Sequence, residues 1–289
     1  MTSIHTLKTD IYTFLQTEKD WQAKVNQFFL PNIVGVKPAA SETPSSRLRL
    51  SQMGDRCPRA LWYSIHHPEL DQLLPPWVQF KFAYGHLVEA LVIALAKACG
   101  HEVTGEQDEI SYMGVKGHRD CVIDGCLVDV KSASGRGMDK FKGSLATSDT
   151  FGYLDQLDGY LSASAEDHLV RVKDKGYLFA VNRDLGHMEM YEHVHRPESI
   201  TNRIRKYQEI VGRDIPPLCE CGTLPLGVNG NIGLDIRASY SAQKYSCCPT
   251  LRCFLYSDGP KYLTHVAKRP FNAQGPITEV DRCGRIVYT

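Results

Sequence analysis

The 289-residue chain has no net charge, because 33 lysines and arginines balance 33 acids. That excludes a global electrostatic field for a polyanion, so any such site has to be a local patch. It also has no long apolar run free of charge. The most apolar stretch, LVEALVIALAKACG at 87–100, is interrupted by Glu89 and Lys97 and reads as too short and too charged to span a bilayer. The first residues, MTSIHTLKTDIYTFLQTEKDW, lack a basic segment followed by an apolar one. The expectation is a chain without a secretory leader, working in the cytoplasm. No stretch repeats another. What the chain does not lack is cysteine, of which it has 10. Without a leader these are not expected to form a disulfide framework, and metal ligands or reduced core thiols are the better readings.

With 43% hydrophobic and 23% charged residues, the composition is that of a globular chain able to bury a sizeable core. Ile4, Leu7, Ile11, Phe14 and Leu15 recur at helical spacing, predicting one amphipathic helix over 4–29. KPAASETPSS (37–46) reads as a loop, followed by a short helix near 57–66. A long helix opens at Pro75-Pro76 and stops at Gly100. Residues 101–112 and 117–132 alternate like strands, and SGRGMDKFKGS (134–144) reads as a Gly-rich basic loop. A helix follows at 151–164, two strands within 168–194, and a helix at 197–212. This order predicts an α/β fold with a mixed central sheet. The expected division is an N-terminal helix and linker over 1–50, a core over 51–215, and an irregular Cys-containing wrap over 216–289.

GHRDCVIDGCLVDVKS (117–132) carries the chemistry. Asp124-Gly125 between alternating apolar runs is a two-residue hairpin signal. With that turn, Ile123 pairs with Cys126, Val122 with Leu127 and Cys121 with Val128. Extending the ladder places Asp120 opposite Asp129 and His118 opposite Lys131. These four share one face, and Cys121, Ile123, Cys126, Val128 and Val130 share the other, which is expected to be core. Like charges directly opposite each other destabilise a sheet. Either a divalent cation sits between the acids, or the hairpin lies on the surface with solvated acids and a lysine counter-ion. Spacing alone leaves both readings open.

Asp120 followed by Asp129-Val130-Lys131 resembles the acid and acid-x-Lys motif of the PD-(D/E)XK nuclease superfamily, and within it the RecB-like exonucleases. The usual Pro-Asp is Arg119-Asp120 here. Gln156-Leu-Asp-Gly-Tyr160 matches the Gln-x-x-x-Tyr of the following helix in that group. His86 and Glu89, at i and i+3 on the long helix, match the position of its helix-borne metal ligand. Cys57-Pro-Arg59-Ala-Leu-Trp-Tyr63 is similar to a segment of the iron–sulfur members, which include CRISPR-associated nucleases and the nuclease half of AddB. The resemblance spans roughly 47–265. It extends to phage-type members with a GxxxEA-like helix, a KSAS-type strand end and a DGPKYLT-like tail (258–264).

The resemblance implies a restriction-endonuclease-like fold and a metal-dependent DNA nuclease. The family-weighted form is an exonuclease of phage-type recombination or replication, acting on linear DNA ends in the host cytoplasm with possible partner proteins of those processes. The alternatives are a nuclease-fold binding protein with little activity, or a nicking or structure-specific endonuclease. Asp120, Asp129, Lys131, Gln156 and Tyr160 become the catalytic candidates. One or two Mg²⁺ or Mn²⁺ ions are expected on Asp120, Asp129, the Val130 carbonyl and His86 or Glu89. Lys131 is expected to position or deprotonate the attacking water. Arg136, Lys140, Phe141 and Lys142, with Arg59 and Tyr63 on the N-terminal side, are the candidate DNA contacts. The cysteine half departs from the family. In the best register the second and third cluster positions are Ala238 and Ser241, which cannot supply thiolates. Cys57 and Cys247 remain, with Cys248 and Cys253 nearby; the preferred reading is a degraded [4Fe–4S] cluster, and the weaker one is that these cysteines regroup around iron–sulfur or zinc.

Overall fold

A computed structural model describes residues 2–34, 47–70 and 76–218, residue 237, and the short segments 223–226, 231–234, 265–267, 279–280 and 286–287. The single N-terminal helix expected over 4–29 is two, α1 (Leu7–Thr17) and α2 (Trp21–Val34). The break falls at Glu18, whose backbone is extended (ψ 114°) and whose carboxylate accepts the Asp20 N–H at 3.3 Å. A local side-chain bond there replaces the next helical one. Helix α3 (Pro58–His66) opens on proline at its first turn, and α4 (Pro76–Ala98) is followed by Gly100 at φ +85°. By length and composition, Val78–Ala98 is also apolar enough to cross a membrane; here Val88, Val92, Ile93 and Leu95 of α4 are core residues of the fold.

Strands β1 (Val103–Thr104), β2 (Glu109–Tyr112), β3 (Val115–His118), β4 (Cys121–Ile123) and β5 (Cys126–Ala133) follow. Asp124 and Gly125 take φ +52° and +80°, the left-handed pair that a tight hairpin needs. The register is the expected one: Ile123 with Cys126, Val122 with Leu127, and Cys121 with Val128. All five residues expected on the core face of this hairpin lie in the main hydrophobic cluster. Beyond Cys121 the ladder does not continue, which corrects the pairing of His118 with Lys131. Strand β3 pairs with β2, placing His118 opposite Glu109, and Lys131 pairs with Ala180.

The reason is Arg119. Its side chain is 1% exposed and forms ion pairs with Asp167 and, at 2.7 Å, with Asp108, while Nε donates to the Gly105 carbonyl at 3.1 Å. Gly105 sits at φ +60°, and a Cβ there would come within 2.6 Å of the guanidinium. Pulling Arg119 inward turns the chain between β3 and β4.

The expected loop at 134–144 is helical instead: α5 (Gly135–Asp139), a wide turn at Lys140–Ser144 with Gly143 at φ 146°, and α6 (Leu145–Ser148). Met138, Phe141 and Leu145 are buried at i, i+3 and i+7, an apolar helical face set among the glycines. Then come α7 (Tyr153–Ala163), β6 (Lys175–Asn182), β7 (Met188–Val194) and α8 (Pro197–Val211). Strands β8 (Thr223–Leu226), β9 (Asn231–Leu234) and β10 (His265–Ala267) form a small antiparallel sheet, and β11 (Glu279–Val280) pairs with β12 (Ile286–Val287).

The main sheet has the order β1-β4-β5-β6-β7, antiparallel except for the parallel neighbours β5 and β6. Helices α1 and α4 contribute to the core on one face. On the other, Leu157 and Leu161 of α7 lie against Gly176 of β6. This is an α/β arrangement with a mixed central sheet flanked by helices, as the element order predicts. The polar face of α7 is anchored by Asp158, which is fully buried, accepts from Arg196 N and Nε at 2.9 and 2.8 Å, and lies 2.8 Å from His193 Nε2.

The chain divides into two compact units. The first comprises Met1–Glu42, Leu48–Gly54 and Pro75–Ile204; the second comprises Thr43–Arg47, Asp55–Leu74 and Arg205–Thr289. In the second, Trp62 Nε1 donates to the Arg213 carbonyl at 2.8 Å, Arg56 N donates to the Tyr207 hydroxyl at 3.0 Å, and Trp62 stacks on His66 at 4.3 Å.

Within the first unit, Gly152 precedes α7 at φ +73°, and a Cβ there would lie 2.0 Å from Gly54 Cα. Neither strain nor clash can be relieved by moving a side chain. Gly152→Ala is therefore expected to cost more than about 2 kcal/mol, seen as a lower midpoint in thermal unfolding followed by circular dichroism. An unchanged midpoint would show that this backbone contact is slack.

Candidate active site

The turn at Arg119 leaves Asp120 at the start of β4 with no backbone partner on β5. Its carboxylate takes that place: Oδ2 accepts the Val130 N–H at 2.7 Å. In an extended strand the N–H and C=O of one residue point to the same edge, so the Val130 carbonyl faces the same opening. Asp129 and Lys131 flank it on the opposite face of β5. The Lys131 ammonium lies 2.6 Å from Asp129 Oδ2, and Asp129 itself is 1% exposed.

Helix α7 supplies the roof. Gln156 Nε2 donates to Asp129 Oδ1 at 3.1 Å and to the Tyr160 hydroxyl at 2.9 Å, and Gln156 Oε1 accepts from Lys131 at 3.2 Å. The i, i+4 spacing thus brings Gln156 and Tyr160 to the acid–lysine pair. Tyr160 is only 2% exposed, and its hydroxyl fixes Gln156. Tyr153, absent from the residues singled out in the sequence, carries its ring 5.0 Å from the Lys131 ammonium. Its position was legible: 153, 156 and 160 share one helical face.

Helix α4 brings Glu89. Gln107 Nε2 donates to its carboxylate, and His86 Nδ1 stands 3.9 Å away on the solvent side. Burial raises the pKa of Glu89 despite the Gln107 bond, and the Asp129 charge adds to the rise. Burial, then the charges of Asp129 and Glu89, push Asp120 well above the usual carboxylate range. Asp129 is raised by burial against the pull of Lys131. For Lys131 burial acts downward, but the charges of Asp129 and Asp120 outweigh it and hold the ammonium above its ordinary value. Tyr160 is raised by burial and then by Asp129.

Three carboxylates are therefore close enough for their charges to act on one another, with one ammonium among them. Asp129 Oδ2 is buried and accepts no aligned hydrogen bond, since Lys131 approaches it off axis. Among the described residues, no three His, Cys, Asp or Glu side chains already stand at metal-binding spacing. Instead Asp129 is engaged by Lys131 and Gln156, Asp120 by the Val130 N–H, and Glu89 by Gln107. The donor chemistry, carboxylate oxygens with a backbone carbonyl, fits a hard divalent cation.

The remaining candidates divide. Phe141, expected to stack on a base, is 4% exposed and packs on Tyr153 at a centroid distance of 6.0 Å. Lys140 is tied to the Ser148 carbonyl at 2.8 Å and the Thr150 hydroxyl at 2.7 Å, so it holds the loop before α7. Phe141 departs from the expected base contact because its ring is buried in the fold, whereas Lys140 stays partly exposed. Lys142 is exposed, with Asp139 at 3.3 Å, and the Arg136 side chain lies outside the described residues. Arg59 and Tyr63 belong to the second unit, where Arg59 donates to the Pro217 carbonyl at 3.0 Å and stands 5.3 Å from the Tyr63 ring. Cys57 is buried there, while Cys247, Cys248 and Cys253 lie outside the described residues.

No family model matches this sequence, and a search of the curated proteins finds no match. Solved structures are similar in backbone. SSO0001 has a TM-score of 0.42 at 15% identity, over 78% of this chain and 95% of that one. An alkaline exonuclease (LHK-Exo) from Laribacter hongkongensis has a TM-score of 0.41 at 11% identity, over 65% of this chain and 91% of that one.

Proposed function

We propose that this protein is a metal-dependent deoxyribonuclease that hydrolyses phosphodiester bonds from the ends of linear DNA, as in phage-type recombination or replication. One observation carries the reading: the buried Asp129 is tied to Lys131 and Gln156, and the Asp120 and Glu89 carboxylates lie near enough for neighbouring acid charge to raise both their pKa values, a carboxylate-rich site that a cation would stabilise. Charge stored this way in a water-poor site has a functional use more often than a structural one.

Asp120, Asp129, the Val130 carbonyl and Glu89 are the residues that would hold Mg²⁺ or Mn²⁺, with His86 as a further donor. Such an ion acidifies a bound water and offsets the charge on the scissile phosphate. Asp120 and Asp129 orient the reacting groups through fixed positions on β4 and β5. Lys131 stays an ammonium between the acids, so its role is to hold the water and meet negative charge at phosphorus, in place of the deprotonating role also considered from sequence. Gln156, clamped by Tyr160, sets the direction of the Lys131 ammonium. Lys142 contributes backbone grip, because a surface ion pair with Asp139 is weak enough to exchange for a phosphate. With Ala238 and Ser241 at two of the cluster positions, the protein works without an iron–sulfur cluster.

The test is digestion of end-labelled linear and closed circular DNA by the full-length protein with Mg²⁺ or Mn²⁺. Linear substrate is expected to be degraded from its ends and circular substrate spared. Cleavage of both forms would make it an endonuclease. Failure to cut either would leave a DNA-binding role and overturn the enzymatic one.

A further inference from the structure

A row of aromatic rings leads out of this site. The Lys131 ammonium lies 5.0 Å from the Tyr153 ring, and the Tyr153 ring lies 5.7 Å from that of Phe151 at an interplanar angle of 32°. Phe141 backs Tyr153 from inside the fold. Phe151 is the outer member and is 49% exposed, although it stands only one ring beyond the lysine.

The segment that presents it is held on three sides. Asp149 accepts the Gly152 and Leu154 N–H groups at 2.9 and 2.8 Å. Lys140 bonds the Ser148 carbonyl and the Thr150 hydroxyl. Gly152 lies so close to Gly54 that a Cβ on either would overlap the other's backbone. A large apolar ring is thus held half exposed by a rigid turn.

The geometry points to Phe151 as a stacking platform for the unpaired nucleobase beside the scissile phosphate, so that the preferred substrate is a single-stranded or frayed end. This deepens the nuclease reading and rests on it for the position of the phosphate. From a phosphate held at Lys131, Tyr153 and then Phe151 are the next rings, at 5.0 and a further 5.7 Å, a spacing at which a neighbouring base would reach Phe151. An aromatic face accepts any base, so the contact selects for an unpaired base and not for sequence. A paired base has both faces covered by its neighbours and cannot take the position.

The test uses a short single-stranded oligonucleotide with 2-aminopurine, whose fluorescence falls on stacking, at its terminal positions. Binding is followed without divalent cation, so that no hydrolysis is needed. The wild-type protein is expected to quench the probe at one position near the end. Phe151→Ala is expected to lose that quenching, to weaken binding about 10-fold, and under turnover conditions to raise KM more than it lowers kcat. Phe151→Trp should restore both, and an abasic residue at the quenched position should make wild type and Phe151→Ala bind alike. The proposal is overturned if the wild type shows no quenching, if Phe151→Ala quenches as well as wild type, or if its defect persists on the abasic strand, which would mark Phe151 as a protein contact. Failure of the nuclease reading looks different: stacking is present, but no DNA is cut with Mg²⁺ or Mn²⁺.

Discussion

Asp120→Asn is expected to abolish hydrolysis while making the metal-free protein more stable. Removing an oxygen ligand and its charge from the reaction centre should cost about 10³-fold or more in rate, about 4 kcal/mol at the transition state. Stability should move the other way. Asn keeps a side-chain oxygen for the Val130 N–H, so the hydrogen bond that closes the β4–β5 opening is retained. What is lost is a buried negative charge beside Asp129 and Glu89, whose repulsion the protein carries because the site needs it. A gain of about 2 kcal/mol, several degrees in thermal midpoint, is the expected order of magnitude.

The sign of the pH dependence follows. Folded carboxylates with raised pKa values bind more protons than the unfolded chain between the ordinary carboxylate value and their own. Metal-free wild type therefore loses stability as pH rises through that interval, and Asp120→Asn should flatten the loss. Adding Mn²⁺ should raise the wild-type midpoint by mass action and move that of the variant much less. Thermal unfolding in chelator and in Mn²⁺ at two pH values reads all of this. A variant less stable than wild type in chelator would make Asp120 a structural residue first.

Arg119→Met is expected to be among the most destabilising single changes at a position outside the site. Methionine fills much of the volume but leaves Asp167 and the Gly105 carbonyl without their donor and Asp108 without its counter-charge. Breaking a buried pair by removing one partner costs about 3 kcal/mol or more, because the remaining charge stays behind. Asp108 is half exposed and water rescues part of its share, which keeps the expectation near that lower figure. Denaturant unfolding should show a lower midpoint with the slope unchanged. Activity should fall too, since Arg119 sets where the chain turns and hence where Asp120 points. Arg119→Lys should recover little of either, because one ammonium cannot reach two carboxylates and a carbonyl from that position. Wild-type-like unfolding of Arg119→Met would show that the turn between β3 and β4 is set elsewhere.

The sequence by itself determined what depends on neighbours along the chain. The Asp124-Gly125 turn needs positive φ at both residues, and period-two alternation then dictates the β4–β5 register and the core face with Cys121 and Cys126. Helix α4 follows from its proline start, apolar periodicity and glycine stop. The i, i+4 spacing of Gln156 and Tyr160 put both on one face of α7, which the fold then sets against Asp129 and Lys131. Only the tertiary structure decided where the ladder ends. Asp108 and Asp167, 11 and 48 residues from Arg119, draw it inside and send His118 to β2 instead of β5. Likewise the glycines and lysines of 134–144 look like a loop until Met138, Phe141 and Leu145 find a surface to cover, and that burial takes Phe141 from the substrate and leaves Phe151 outside. Local periodicity specifies which way a side chain points from its own backbone. Whether that direction meets water, a partner charge or another strand depends on segments far away in sequence, and here that difference turned a regular hairpin into an opening lined with acids.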